Sequence, residues 1–266
     1  MDSSTARVLA ELNRHFYESN WESFSSTRGS AWPGWAELVR LLPAVGGRSL
    51  RVLDIACGNL RLERFLAEEF PETTIQALAI DSCDELALAW AGAMPANADV
   101  RYERVDLIDL LTGEGDVLPL GAADARHDLV ACFGFMHHVP GFELRARLLR
   151  LMADALGPGG LLAVSLWRFM DDANLAEKAR LSTQRAVETG AIGDLQLDSG
   201  DYLLGWNGES DALRYCHHFD GAEIDALVGS LSDGPGNGVE LVARYRADGR
   251  TGALNEYLVF RRAGAF

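Results

Sequence analysis

Short apolar runs and longer amphipathic stretches alternate along this chain from about residue 50 to residue 170. Arg51-Val52-Leu53-Asp54-Ile55 reads as a strand with apolar residues on both faces, as a strand buried on both sides requires. A helix is expected next, because Leu62, Phe65, Leu66 and Phe70 are spaced to share one face, and Pro71 closes it. Further strands are expected over about 74–80, ending at Asp81, and over about 100–105, ending at Asp106. Ser82 and Glu85 have capping-box spacing for the helix between them. A fourth strand is expected over 127–133, with Asp128-Leu129-Val130-Ala131-Cys132-Phe133 at its centre. A helix over about 142–156 buries Leu144, Leu148, Leu151 and Ala155 and stops at Gly157-Pro158-Gly159-Gly160. The fifth strand is expected over 161–167.

Beyond it the pattern loosens. Residues 168–218 read as a helix over about 173–189 followed by loops. A helix over about 222–231, a turn at 232–238 and two strands near 240–246 and 255–261 complete the chain, with Asp248-Gly249 turning between the strands. The alternation predicts an α/β fold: a Rossmann-like, doubly wound, seven-stranded and mostly parallel sheet, with an antiparallel last strand and helices on both faces. Residues 1–48 are expected to form a helical cap over the ligand edge. Residues 49–170 and 219–266 are expected to form the sheet domain, with 171–218 an inserted helix and loop segment near a substrate.

The 266 residues are 48% hydrophobic, enough for a substantial core. No apolar run reaches the ~18–20 residues of a membrane span, and Met1-Asp2-Ser3-Ser4-Thr5 lacks the basic start of a secretory signal. A cytoplasmic location without a membrane partner is therefore expected. Cys57, Cys83, Cys132 and Cys216 form no C-x-x-C pair and read as reduced thiols. His137-His138 and His217-His218 are adjacent pairs, not the i, i+4 spacing that puts two ligands on one helix face, so no metal is expected. The net charge of −15, with Lys178 the only lysine, disfavours a broad nucleic-acid footprint.

A doubly wound sheet binds its ligand outside the carboxyl ends of its strands, where strand order reverses. Asp54, Asp81, Asp106 and Phe133 fall at or just past such ends. The turn Ala56-Cys57-Gly58-Asn59-Leu60 has one glycine, whereas a pyrophosphate asks for G-x-G-x-x-G, and Asp54 would repel phosphate. An acidic turn suits a ligand carrying an ammonium and a sulfonium, such as S-adenosylmethionine. Asp81 could accept hydrogen bonds from both ribose hydroxyls, and Asp106 from the adenine amino group.

The run V-L-D-I-A-C-G-N-L-R-L-E-R-F-L resembles motif I of class I S-adenosylmethionine-dependent methyltransferases. Ala56 stands where the pattern D-x-G-x-G has its first glycine, and Leu60 where a third is usual. H-D-L-V-A-C-F-G-F-M-H-H-V and L-G-P-G-G-L-L-A-V-S-L-W resemble motifs IV and V of that family. The flanks, Phe24-Ser25-Ser26-Thr27-Arg28 with Trp32-Pro33, and Arg214 to Phe219 with Glu223, are similar to the tRNA wobble-uridine carboxymethyl methyltransferases.

The resemblance implies cofactor contacts at Asp54, Ala56, Cys57 and Gly58 after strand one, and at Asp81 and Ser82 after strand two. It also implies contacts at Asp106, Leu107 and Phe133, and a salt bridge from Arg28 to the cofactor's carboxylate. His138 and His217 are the expected catalytic residues should the acceptor need a base, and Trp206, Arg214 and Tyr215 the expected acceptor contacts. The expected reaction is methyl transfer to an oxygen or nitrogen of a small molecule, leaving S-adenosylhomocysteine. One alternative is carboxymethyl esterification of a tRNA wobble uridine, where the resemblance brings in an activator subunit. Another is a cofactor-binding regulatory module without catalysis.

Overall fold

The computed structural model describes residues 1–26, 29–42, 49–113, 126–193, 195–206, 209–232 and 238–264. Two helices, α1 (Ser3–Ser26) and α2 (Pro33–Leu41), precede the sheet. Then β1 (Leu50–Ile55), α3 (Arg61–Glu69), β2 (Ile75–Asp81), α4 (Asp84–Ala91), β3 (Ala98–Arg104) and α5 (Leu107–Thr112) alternate. They are followed by β4 (His127–Cys132), α6 (Phe142–Asp154) and β5 (Leu156–Trp167). The chain closes with α7 (Ala173–Glu188), β6 (Asp201–Trp206), β7 (Glu209–His217), α8 (Gly221–Ser232), β8 (Val239–Ala247) and β9 (Asn255–Arg262).

Seven strands form one sheet in the order β3-β2-β1-β4-β5-β9-β8. Pairing from β3 through β5 is parallel, and β9 runs antiparallel to both its neighbours. Strand order reverses between β1 and β4, which puts the ligand crevice at the carboxyl ends of these strands. The period of two along a strand decides which face each residue serves. Leu53 and Ile55 pack in one core with residues of α5, α6 and α8, while Val52 packs in a second core with residues of α2 and α3. Asp54, in step with Val52, is therefore turned toward α3.

Local chemistry ends the elements where it should. Pro33 opens α2, and Asp106 caps α5 by accepting from the Ile108 and Asp109 N–H groups at 3.0 and 3.1 Å. Ser82 does not cap α4, which begins at Asp84; the nearby Cys83 N–H goes to the Asp81 carboxylate at 2.9 Å. The Gly157–Gly160 run, expected to lie outside any element, forms the irregular start of β5, where the register against β4 shifts.

The larger departure concerns residues 190–218, which read as loops. They contain an antiparallel two-stranded ribbon, β6–β7. Asp201-Tyr202-Leu203-Leu204-Gly205-Trp206 breaks the apolar–polar alternation, so its strand character comes from tertiary packing. Leu203 and Tyr215 of the ribbon bury against Leu9 of α1. Helix α1 thus spans from the ribbon to α4 and α5 across the strand tips. No described helix is long and apolar enough to cross a membrane.

Candidate active site

A cavity of about 570 Å³ opens at the carboxyl ends of the strands, beneath α1. One half is built by the tips of β1, β2 and β3. Asp54, Ala56, Cys57 and Gly58 line it after β1, Asp81 and Ser82 after β2, and Asp106 and Leu107 after β3. Phe133 joins them from the end of β4 and packs on Trp35 with ring centroids 5.7 Å apart.

The turn after β1 bends through the left-handed region, with φ of 57° at Ala56, 55° at Gly58 and 55° at Leu60. Side chains at 56 and 60 cost roughly 1–2 kcal/mol each in that conformation. Leu60 offsets its share by burying against Cys57, Ala79 and Ala87. The turn is tied to β2 by the Cys57 N–H on the Ile80 carbonyl (3.0 Å) and the Gly58 N–H on the Asp81 carboxylate (2.9 Å).

The titratable groups in this half are mostly carboxyls, and they are withdrawn from water. Burial, and then the neighbouring Glu63, hold the Asp54 carboxyl well above the usual carboxylate range. Burial lifts fully buried Glu63 to about 7. Asp81 is also raised by burial, against the pull of its backbone N–H donors. Arg61, on the wall beside them, is lowered to about 10 by burial and Arg64, and its guanidinium lies over the Trp32 and Trp35 rings at 5.4 and 5.7 Å. Desolvated carboxyls around a shared space are suited to a ligand that brings cationic groups and hydrogen-bond donors. Leu86, Leu107 and Ile108 add an apolar wall for a flat ring.

The other half has different chemistry. Met136–His138 forms a single 3₁₀ turn after β4 and presents His137 and His138 to the cavity. The His138 Nδ1 lies 2.8 Å from the Tyr215 carbonyl, and its Nε2 lies 2.7 Å from the Tyr17 hydroxyl. A carbonyl only accepts, so Nδ1 carries the proton and Nε2 accepts from Tyr17. Asn13 of α1 braces the same strand, accepting from the Tyr215 N–H at 2.7 Å and donating to its carbonyl at 3.2 Å. Trp167, Trp206 and Arg214 complete this wall, with the Trp206 indole N–H donating to Ser23 at 2.9 Å.

His137, His138 and Cys216 bring potential metal-ligand atoms within 4.8 Å of one another. Both His138 nitrogens are engaged in hydrogen bonds, and burial pushes the Cys216 thiol up to about 12, which keeps it protonated. Within the trio His138 and Cys216 are 3.9 Å apart, and His137 packs its ring on His138.

Two residues expected in the site stand behind it. His217 is not on the cavity wall; its Nδ1 meets Asp201 and its Nε2 meets Glu223, both at 2.6 Å. Tyr215 is fully buried and its hydroxyl donates to Asp201 at 2.7 Å. Arg145, also buried, pairs with Glu223 at 2.9 Å and donates to the Val139 carbonyl just past His138. The alternation of β7 is the physical reason: with Arg214 toward the cavity, Tyr215 and His217 fall into a network that buttresses the wall from behind. Arg28 lies outside the described residues. The sequence reading missed Tyr17, Asn13 and Arg14 of α1, and Asp248 and Asn255 at the β8–β9 turn, which also line the cavity.

A methyltransferase-domain family model matches residues 30–229. A putative methyltransferase of Encephalitozoon cuniculi is 30% identical over 202 residues, covering 76% of this chain and 77% of that one. The trans-aconitate 2-methyltransferase of Streptomyces avermitilis is 31% identical over 136 residues, 48% of this chain and 43% of that one. A probable tRNA methyltransferase 9B of Bos taurus is 24% identical over 204 residues, 74% of this chain and 40% of that one. Among solved structures, a SAM-dependent methyltransferase of Methanosarcina mazei superposes with a TM-score of 0.60 at 16% identity, covering 89% of this chain and all of that one.

Proposed function

This chain belongs to the methyltransferase-domain family, as a class I S-adenosylmethionine-dependent methyltransferase, and from that premise we propose that it methylates an oxygen or nitrogen of a small molecule. The observation that carries the reading is the Tyr17–His138 pair, set across the cavity from the acidic strand tips.

The residues present fit the cofactor. Asp54 and Asp81 supply acceptors for an ammonium and for ribose hydroxyls, Asp106 an acceptor beside the apolar wall of Leu86, Leu107 and Ile108. S-adenosylmethionine supplies a methyl group already activated on a positive sulfur, so the protein's task is chiefly to align and to move one proton. A hydroxyl or amine acceptor must lose that proton as it attacks. Tyr17 oxygen takes it while its own hydroxyl proton passes to His138 Nε2. The Tyr215 carbonyl, already bonded to Nδ1, steadies the imidazolium that forms.

A small acceptor accords with the net charge of −15 and with a wall of half-buried aromatic rings under α1. Arg14 and Arg61, which a nucleic acid would seek, are engaged by Glu11 and by Asn59 with the Ser30 carbonyl. The tRNA reading is favoured by the flanking segments and by the bovine relative. Methyl-labelled cofactor incubated with fractionated cell extract separates them. Label in the small-molecule fraction is the expected result. Label in RNA alone would overturn it, and no label with cofactor binding intact would point to a regulatory module.

A further inference from the structure

We propose that Arg214 is an anion clamp and that the methyl acceptor carries a free carboxylate, held there while the neighbouring oxygen or nitrogen is methylated. The inference rests on the small-molecule reading above and names the class of its substrate.

Arg214 is only 7% exposed, yet it lines the cavity. Its guanidinium lies over three rings: Trp206 at 5.1 Å, Phe16 at 5.2 Å and Trp167 at 5.9 Å. The neighbouring arginines, buried Arg145 and half-buried Arg168, have carboxylates. Arg145 pairs with Glu223, and Arg168 pairs with Glu256 and Asp171. Among the described residues Arg214 has no such pair, and its Nε has no hydrogen-bond partner. The Cys216 thiol, kept protonated by burial, shares a hydrogen bond with it and brings no counter-charge. A buried cation without a counter-charge is costly, and aromatic faces offset only part of that cost. The missing partner is an anion that arrives from the cavity.

The chemistry of the wall selects a carboxylate over a phosphate. Carboxylate geometry matches the guanidinium fork, two parallel N–H···O bonds for one negative charge. A phosphate dianion would need further cations, whereas the wall beside Arg214 offers indoles and imidazoles. His137 rests on Trp167 with centroids 4.9 Å apart and on His138 at 4.1 Å, so Arg214, Trp167 and the Tyr17–His138 pair form one continuous surface. An acceptor anchored at Arg214 would present an adjacent hydroxyl or amine to that pair. The carboxylate itself needs no base and is spent on the clamp.

The test uses the whole chain, methyl-labelled S-adenosylmethionine and a small-molecule extract. The labelled product is run on anion exchange, then exposed to alkali and, separately, to phosphatase. The product is expected to bind as an anion and to survive both treatments with label and charge intact. Arg214→Gln should raise the acceptor concentration for half-maximal transfer about 100-fold, the usual scale for losing one partner of a buried charged pair. Its affinity for S-adenosylhomocysteine, measured by calorimetry, should stay within twofold. Arg214→Lys keeps the charge without the fork and should fall between. A neutral or cationic product, an alkali-labile label, a charge removed by phosphatase, or unchanged half-saturation in Arg214→Gln would each overturn the clamp and leave methyl transfer standing. If Arg214→Gln does not bind S-adenosylhomocysteine, Arg214→Lys decides, and wild-type half-saturation there overturns it. Absence of label from every small-molecule fraction would instead sink the reading on which the clamp rests.

Discussion

The strand-tip half of the cavity presents carboxylates in a row, Asp54, Asp81 and Asp106, each at or just past the end of a strand. The half under the ribbon presents a guanidinium, two imidazoles and a phenol, drawn from α1, the 3₁₀ turn and β7. In the first half a residue's place in the sheet decides its role, and neighbours in sequence are neighbours in space. In the second, Tyr17, His138 and Arg214 meet across more than 70 residues of chain each. The contrast separates what the fold offers any ligand of this kind from what this chain adds for its own acceptor.

Substitutions that strike one half and spare the other sharpen this contrast. The largest effect is expected from His138→Gln and Tyr17→Phe, which break the hydrogen bond proposed to carry the acceptor's proton. Transfer to a hydroxyl or amine acceptor should slow by about 100-fold or more, with S-adenosylhomocysteine affinity little changed in a calorimeter. Rates within twofold of wild type would reduce the pair to packing.

His217→Gln comes next. It leaves Asp201 and Glu223 facing a neutral amide and should cost about 3 kcal/mol in urea unfolding. Burial, the largest single influence on His217, disfavours its charge, but the hydrogen bonds to Asp201 and Glu223 outweigh it and raise its pKa. A raised imidazole value means the stabilisation is full below the ordinary 6.5 and drains away as pH rises through the folded value. For Glu223 burial is outweighed by His217 and Arg145, so its value is lowered and its share is present above the ordinary 4.5 and lost on acidification. The gap between wild type and His217→Gln should therefore be widest from pH 4.5 to 6.5 and narrow in alkali. A gap that widens toward alkali would refute the charged assignment.

Asp81→Asn should weaken S-adenosylhomocysteine binding by about 1–3 kcal/mol, roughly five- to 150-fold, through lost acceptor capacity toward the ligand and toward the Gly58 N–H. Unchanged affinity would remove Asp81 from the cofactor site. The smallest effect is expected from Ala56→Gly, which relieves a left-handed alanine and should stabilise the protein by about 1 kcal/mol in the same urea experiment.

The same contrast explains what could be read from the sequence. The strands and their terminal acids were legible because each lies in one short window: an apolar run, an acid, a turn. Parallel strands buried on both faces leave such a trace. Ala56 and Leu60 were legible as departures from a glycine pattern, and the backbone keeps the glycine-like conformation at both. The ribbon left no trace, since Leu203-Leu204-Gly205 has no alternation and draws its strand character from α1. Tyr17 gave no signal either; on a helix of mixed polarity a tyrosine looks like cover until His138 is seen against it. His217 was noticed for its chemistry, but which side of β7 faces the cavity depends on a register that single-sequence patterning did not supply.

Helix α1 touches both compartments at once: Arg14 lies 4.0 Å from Asp106, while Asn13, Tyr17 and Ser23 hold Tyr215, His138 and Trp206. A shared lintel of this kind makes the two occupants thermodynamic correspondents. Whatever ordering of the helix the first arrival completes, the second is spared, and the favour is returned in equal measure when the sequence of arrival is reversed.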